Sequence, residues 1–320
     1  MSDFFNLAVD IINCPTNQIP APKFVELTKD KTKNTDIKVI VYNEEELKEL
    51  GCHSLLAFGA GSENETLLLK LELKGKDSTK QTHIIGEGII FEAAGMQLRQ
   101  HPINTTRNKL GKAGAAITLE ALIEVAKSGK PANDITLWIP LSENVAGNQA
   151  LKPLDVVTLP NGLTIEAVDV KGENHLGLFD LYVLAAQAGA DDILSIASLD
   201  PMQELAVGHK YGTIVGSNAD KLLTAAKTAK ELVWPLPLPN YLEEKLNSMV
   251  ADYKNITQDS TTAVCDNLIF AKILESVNQQ PAWAHWEIGT PSLHSPAEPE
   301  KKGATGYGIK TLIEFMANSH

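Results

Sequence analysis

Apolar residues fall into short runs separated by stretches in which they recur every three or four positions, and this alternation continues along the whole chain. Residues 37–42 (IKVIVY), 54–58, 66–73, 83–85, 89–91, 135–141 (ITLWIPL), 192–199 and 283–288 (WAHWEI) predict strands. Residues 155–159 and 163–170 flank Pro160-Asn161-Gly162, a hairpin signal. Helical spacing predicts helices over 3–13, 22–28, 113–128, 176–188, 261–277 and 308–317, another starting near 241, and one to about 231 capped by Ser217-Asn218. Asn43 caps EEELKEL, which Gly51 closes. The run 135–141 is apolar at nearly every position, as in a strand covered on both faces. Strands alternating with helices predict a three-layer α/β/α protein with a central, mostly parallel (mixed) sheet. Residues 1–30 form a leading helical segment, and the whole 1–320 reads as one domain.

One stretch concentrates chemistry. Residues 83–85 enter the turn Gly86-Glu87-Gly88. A second run, 89–91, ends on Glu92 and Ala93-Ala94-Gly95. Arg99 and a polar loop follow, then the small residues 113–116 open a long helix. Carboxylates and a guanidinium here leave strand ends beside glycines that let backbone approach backbone.

Composition narrows the function. The chain has 320 residues, 43% hydrophobic and 21% charged, with net charge -12. That balance suits a soluble globular protein and argues against nucleic acid as partner. Cys14, Cys52 and Cys265 are odd in number and lack metal-ligand spacing, so they read as reduced thiols. The N-terminus is amphipathic, carries Asp3 and Asp10 and lacks a basic start, unlike a signal peptide. No apolar run nears the roughly 20 residues of a membrane span. The expected location is cytoplasmic.

Several segments together resemble the leucine (cytosol) aminopeptidase family of dinuclear metallopeptidases. IIGEGIIFEAAG is similar to the family's VGKGxxxDSGG, NKLGKAGAA to MKxDMGGAA, and VDVKGENHL to NTDAEGRL. EELKELGCHSLLAFGAGS, LKPLDVVTLPNGLTIEAVD, WAHWEIG and GATGYGIKTLIEF resemble further landmarks in the family's order. The resemblance implies an aminopeptidase/phosphorylase-like fold and a catalytic domain alone, without the family's separate N-terminal domain. It also implies hexameric homo-oligomers, a peptide ligand, and Mn or Zn where a member is active.

Residue by residue, the resemblance places substitutions at the chemistry. Glu87 stands for a metal-binding Lys, Glu92 for a bridging Asp, and Arg99 for a catalytic Lys. Leu110 or Gly111 stands for an Asp ligand. Lys171 replaces another Asp ligand, Glu173 keeps a Glu ligand, and His175 replaces a catalytic Arg. Leu199-Asp200-Pro201 stands where the family contacts substrate, and Pro201 removes a backbone donor there. Lys171 would put an ammonium where a ligand faced a cation. With Arg99 it could replace the metals and pair with Glu87, Glu92 and Glu173, so the expected cofactor is none. The function implied is a non-catalytic homologue with a structural, assembly or regulatory role. The alternative is a divergent metal-dependent aminopeptidase that releases N-terminal amino acids.

Other candidates read as bland. His285 lies in an apolar strand and reads as core; His101 and His175 could join a remodelled site. Cys52-His53 lacks an evident third partner. Gly86-Glu87-Gly88 is too short for a dinucleotide fingerprint. Lys109 and Lys112 read as a solvated face, and 234–239 as a hinge over the core.

Overall fold

A computed structural model describes residues 6–76, 79–97, 107–129, 131–170, 174–199, 202–257, 266–277, 281–295 and 302–318. The chain opens with α1 (Asn6–Asn13), α2 (Ala21–Thr32), β1 (Lys38–Tyr42), α3 (Glu44–Glu49), α4 (His53–Gly59) and β2 (Leu67–Leu73). Then come β3 (Gln81–Gly86), β4 (Ile89–Glu92), α5 (Ala113–Ser128), β5 (Asp134–Asn144), β6 (Asp155–Thr158) and β7 (Thr164–Ala167). They are followed by α6 (Asn174–Gln187), β8 (Asp192–Ala197), α7 (Glu204–Val207), β9 (Gly212–Val215), α8 (Ala219–Ala229) and β10 (Val233–Pro235). The chain closes with α9 (Tyr241–Lys245), β11 (Tyr253–Lys254), α10 (Asp266–Val277), β12 (Ala282–Glu287) and α11 (Ile309–Asn318).

The main sheet runs β1-β2-β5-β3-β8-β12-β9-β10, with β4 paired to β5. Its centre, β5-β3-β8-β12, is parallel, whereas β1, β2 and β9 pair antiparallel, so the sheet is mixed as expected. A small sheet, β11-β7-β6, holds the expected hairpin. One apolar cluster packs α1, α2, α5 and α11 on one face of the main sheet. A second packs α4, α6 and α10 on the other, which completes three layers. All six β8 residues are buried, the burial expected of a strand covered on both faces.

Helix ends follow local chemistry. The Asn43 side chain accepts from the Glu46 N–H, and the Glu46 carboxylate accepts from the Asn43 N–H, a reciprocal cap on α3. The α1 helix is fixed at both ends. Its Ala8 N–H donates to Glu120 of α5 at 2.7 Å. At the other end Lys109 donates to the Asn13 carbonyl at 2.6 Å and Lys112 to that of Cys14 at 2.8 Å, where helix carbonyls lack internal partners. The solvated face expected of these lysines is therefore wrong for Lys112, which is fully buried. Burial, with the Lys109 charge adding, pushes its ammonium down to about 8.

Two further expectations are corrected. Residues 54–58 are helical, within α4. A short apolar run does not by itself separate strand from helix. What decides here is tertiary: the buried Asp180 carboxyl on α6 accepts from the Leu55 N–H at 2.8 Å, and Ser54 donates to the Leu176 carbonyl. Burial holds Asp180 well above the usual carboxylate range. The Asn218 side chain does not cap α8; it donates to Asp192 of β8 at 2.6 Å, beside Lys221 on the same carboxylate. The strand β9 was not expected, because four residues carry little periodicity. The Pro-rich stretch holds edge strand β10, where Pro235 is tolerated; Trp234 is half exposed, while Leu236 and Leu238 pack against the second apolar cluster, over the core as expected.

Candidate functional site

The parallel strands β3, β8 and β12 end level with one another. Gly86 lies opposite Ile196, and Ala197 opposite Glu287. From β3 the chain crosses through α5 to β5 on one side, and it later returns through α6 to β8 on the other. The crevice between the ends of β3 and β8 is thus a topological switch point, where open α/β sheets place ligands.

Glu87 leaves β3 into this crevice. Its N–H donates to the Ile196 carbonyl at 2.9 Å, and its carbonyl accepts from the Ala115 N–H at 2.7 Å. One residue therefore joins β3, β8 and the start of α5. Gly114 permits the approach: a Cβ there would sit 2.3 Å from the Ile196 carbonyl oxygen and 2.7 Å from the Glu87 nitrogen. The fully buried Glu87 carboxylate accepts from the Ser198 N–H at 2.6 Å and from the Ser198 hydroxyl at 2.8 Å.

Glu287, the last residue of β12, was not singled out from sequence, yet it completes the arrangement. Its buried carboxylate accepts from the N–H groups of Leu199 and Gly289, both at 2.7 Å. Two successive N–H groups at the exit of β8 are thus gripped by carboxylates from the strands on either side. The available signal was a carboxylate closing an apolar strand just before a glycine.

Glu92 ends β4. Its carboxylate accepts from Asn144 at 2.8 Å and from the Ala94 N–H, and Ala94 adopts a left-handed φ of 65°. Of the two residues that could stand for the missing ligand, Leu110 buries its side chain in the apolar cluster. Gly111 faces the site. A Cβ on Gly111 would lie 3.5 Å from Glu87 Oε1, but also 2.8 Å from the Ile89 Cβ, so the space for a side chain is closed. Arg99, His101, Lys171, Glu173, Asp200 and Pro201 lie outside the described residues, and His175 is placed only by its backbone, in the first turn of α6.

Among the described residues these groups do not assemble a dinuclear ligand set. Each of Glu87 and Glu92 engages an oxygen with N–H donors, Gly111 offers none, and no group of three His, Cys, Asp or Glu comes together among the described residues. His285 packs as expected. It is fully buried, lies 2.7 Å from the Ser195 hydroxyl, and meets the Phe270 ring edge-on.

Fold and site together define the class: a three-layer α/β protein with buried carboxylates at a strand-end switch point. Residues 6–313 match the cytosol aminopeptidase family, catalytic domain, and the chain belongs to that family. A probable cytosol aminopeptidase of Streptomyces coelicolor is 30% identical over 318 residues, covering 98% of this chain and 60% of that protein. One of Chlorobaculum tepidum is 29% identical, covering 97% of this chain and 62% of that protein. The chain therefore spans about three fifths of the length of these relatives. Among solved structures, the bottromycin maturation enzyme BotP in complex with Mn superposes with a TM-score of 0.89 at 27% identity, covering 97% of this chain and 69% of that one.

Proposed function

We propose that this chain is a non-catalytic member of the cytosol aminopeptidase family, kept for a structural, assembly or regulatory role in the cytoplasm as a homo-oligomer. The observation that carries the reading is the fate of Glu87. Its carboxylate grips Ser198 of the neighbouring strand end, and it faces a glycine with no room for a ligand. On this reading Lys171 and Arg99 supply the positive charge that metals supply elsewhere, with Glu173 and Glu92 as counter-charges, and His175 stands in place of a catalytic arginine. A peptide end remains the ligand class suited to the crevice. Elemental analysis of the purified protein, paired with hydrolysis of an alanyl or leucyl amide, tests it. No stoichiometric Mn or Zn and background hydrolysis are expected; stoichiometric metal with metal-stimulated release of the amino acid refutes it.

The second reading, a divergent metal-dependent aminopeptidase, draws on the likeness to a neighbour solved with Mn. Under it, changing Glu92 or Glu173 abolishes metal-stimulated release.

A further inference from the structure

We propose that His209 is a protonation-gated latch on the segment from Met202 to His209, closed when the imidazole carries two protons and loosened when it carries one. The latch is independent of metal and of catalysis. His209 Nδ1 lies 3.2 Å from Glu204 Oε1, and Nε2 lies 3.0 Å from the Leu293 carbonyl oxygen. A carboxylate and a carbonyl can only accept, and a neutral imidazole has one N–H to give. Both contacts are hydrogen bonds only in the doubly protonated ring. Loss of one proton turns a nitrogen lone pair onto an oxygen, at α7 or at the loop after β12.

The rest of the segment is poised to open. The α7 helix is a single turn, and Leu205 points outward, 81% exposed. Gln203 is buried, yet neither its amide oxygen nor its amide nitrogen has a hydrogen-bond partner among the described residues. The two contacts of His209 tie this turn to the loop after β12. Glu204 also meets Arg107, ahead of α5, at 3.9 Å.

Among the described residues, the charged and titratable groups on the elements that meet here are Glu204, Arg107, Lys210 and His294 beside the two anchored residues, and Lys302 next to Gly303, whose carbonyl accepts from the His294 N–H. In ordinary surroundings carboxylates, lysines and arginines keep one charge state between about pH 6 and pH 8, while imidazoles change theirs. His294 is therefore the control.

Amide hydrogen exchange of the full chain, corrected for chemical exchange, tests the latch at about pH 6 and pH 8. The reporters are the N–H groups of Val207 and Gly208, which donate to the Gln203 and Glu204 carbonyls. Losing one charged hydrogen bond should lower their protection roughly tenfold at the higher pH. Protection should be low and equal at both pH values in His209→Gln, the step should shrink in Glu204→Gln, and it should persist in His294→Gln. Amides of α5 should show no step in any of these. A wild type without the step overturns the latch, as does a step that survives His209→Gln or disappears in His294→Gln. If His209→Gln does not fold, the wild-type and Glu204→Gln results decide.

Discussion

Replacing Glu87 with alanine isolates the joint between β3 and β8. The variant loses two charged hydrogen bonds, from the Ser198 N–H and hydroxyl, and leaves both donors beside a small void. At about 1.5 kcal/mol for each hydrogen bond to a charged group, the loss is about 3 kcal/mol. Unfolding entropy near 2.1 cal/mol/K per residue, taken over the chain, makes 1 kcal/mol equivalent to about 1.5 °C, so the melting temperature should fall by about 4–5 °C. Glu87→Gln keeps one acceptor oxygen in nearly the same place and should lose only about 1–2 °C. Glu87→Lys installs the residue found in the family motif, but it turns an ammonium onto two donors and should cost at least as much as alanine. Differential scanning calorimetry at fixed scan rate measures all three. An alanine variant within about 1 °C of wild type, or a glutamine variant as damaged as alanine, would refute the view that this carboxylate is a structural joint.

Three further outcomes follow from the packing. Because burial raises Asp180 in the folded chain, the native state holds a proton that the unfolded chain releases. Stability should therefore decline as pH rises from about 4, the unfolded carboxyl value, toward the folded one, and denaturation midpoints for Asp180→Asn should lack that decline. Gly114→Ala drives a Cβ against the Ile196 carbonyl and the Glu87 nitrogen, so urea unfolding should show a loss of about 3 kcal/mol. Gly111→Asp puts a carboxylate back beside Glu87 but presses on the Ile89 Cβ; calorimetric titration with Mn should show no binding, and a stoichiometric site would contradict the closed geometry.

Much of the architecture was legible because local and global signals agree. The helix α5 runs from 113 to 128 as expected: small residues admit it under the strand ends, and Gly129 stops it. The hairpin around Gly162, which has φ +88°, and the buried strands β5, β8 and β12 were equally plain. Residues 54–58 misled because the cue that makes them helical, the carboxyl of Asp180, lies far away in sequence. Asn218 misled because Asp192 outcompetes the helix end for its amide. At the site, motif spacing led to Glu87 and Glu92 but not to what their oxygens bind. Glu287 went unnoticed because its role depends on β12 lying next to β8, a fact of sheet order and not of spacing.

The two-ended anchoring of α1 couples distant parts of the chain. Lys109 and Lys112 bracket Gly111, and both ammonium groups rest on carbonyls at the end of that first helix. The loop wall opposite Glu87 thus takes its position from residues about a hundred places earlier, while Glu120 ties the start of the same helix to α5. Substitutions that shorten or unwind α1 would reach the crevice as a displacement of its wall, leaving every residue inside it unchanged in identity. A change confined to this leading helix would therefore reshape the crevice from outside.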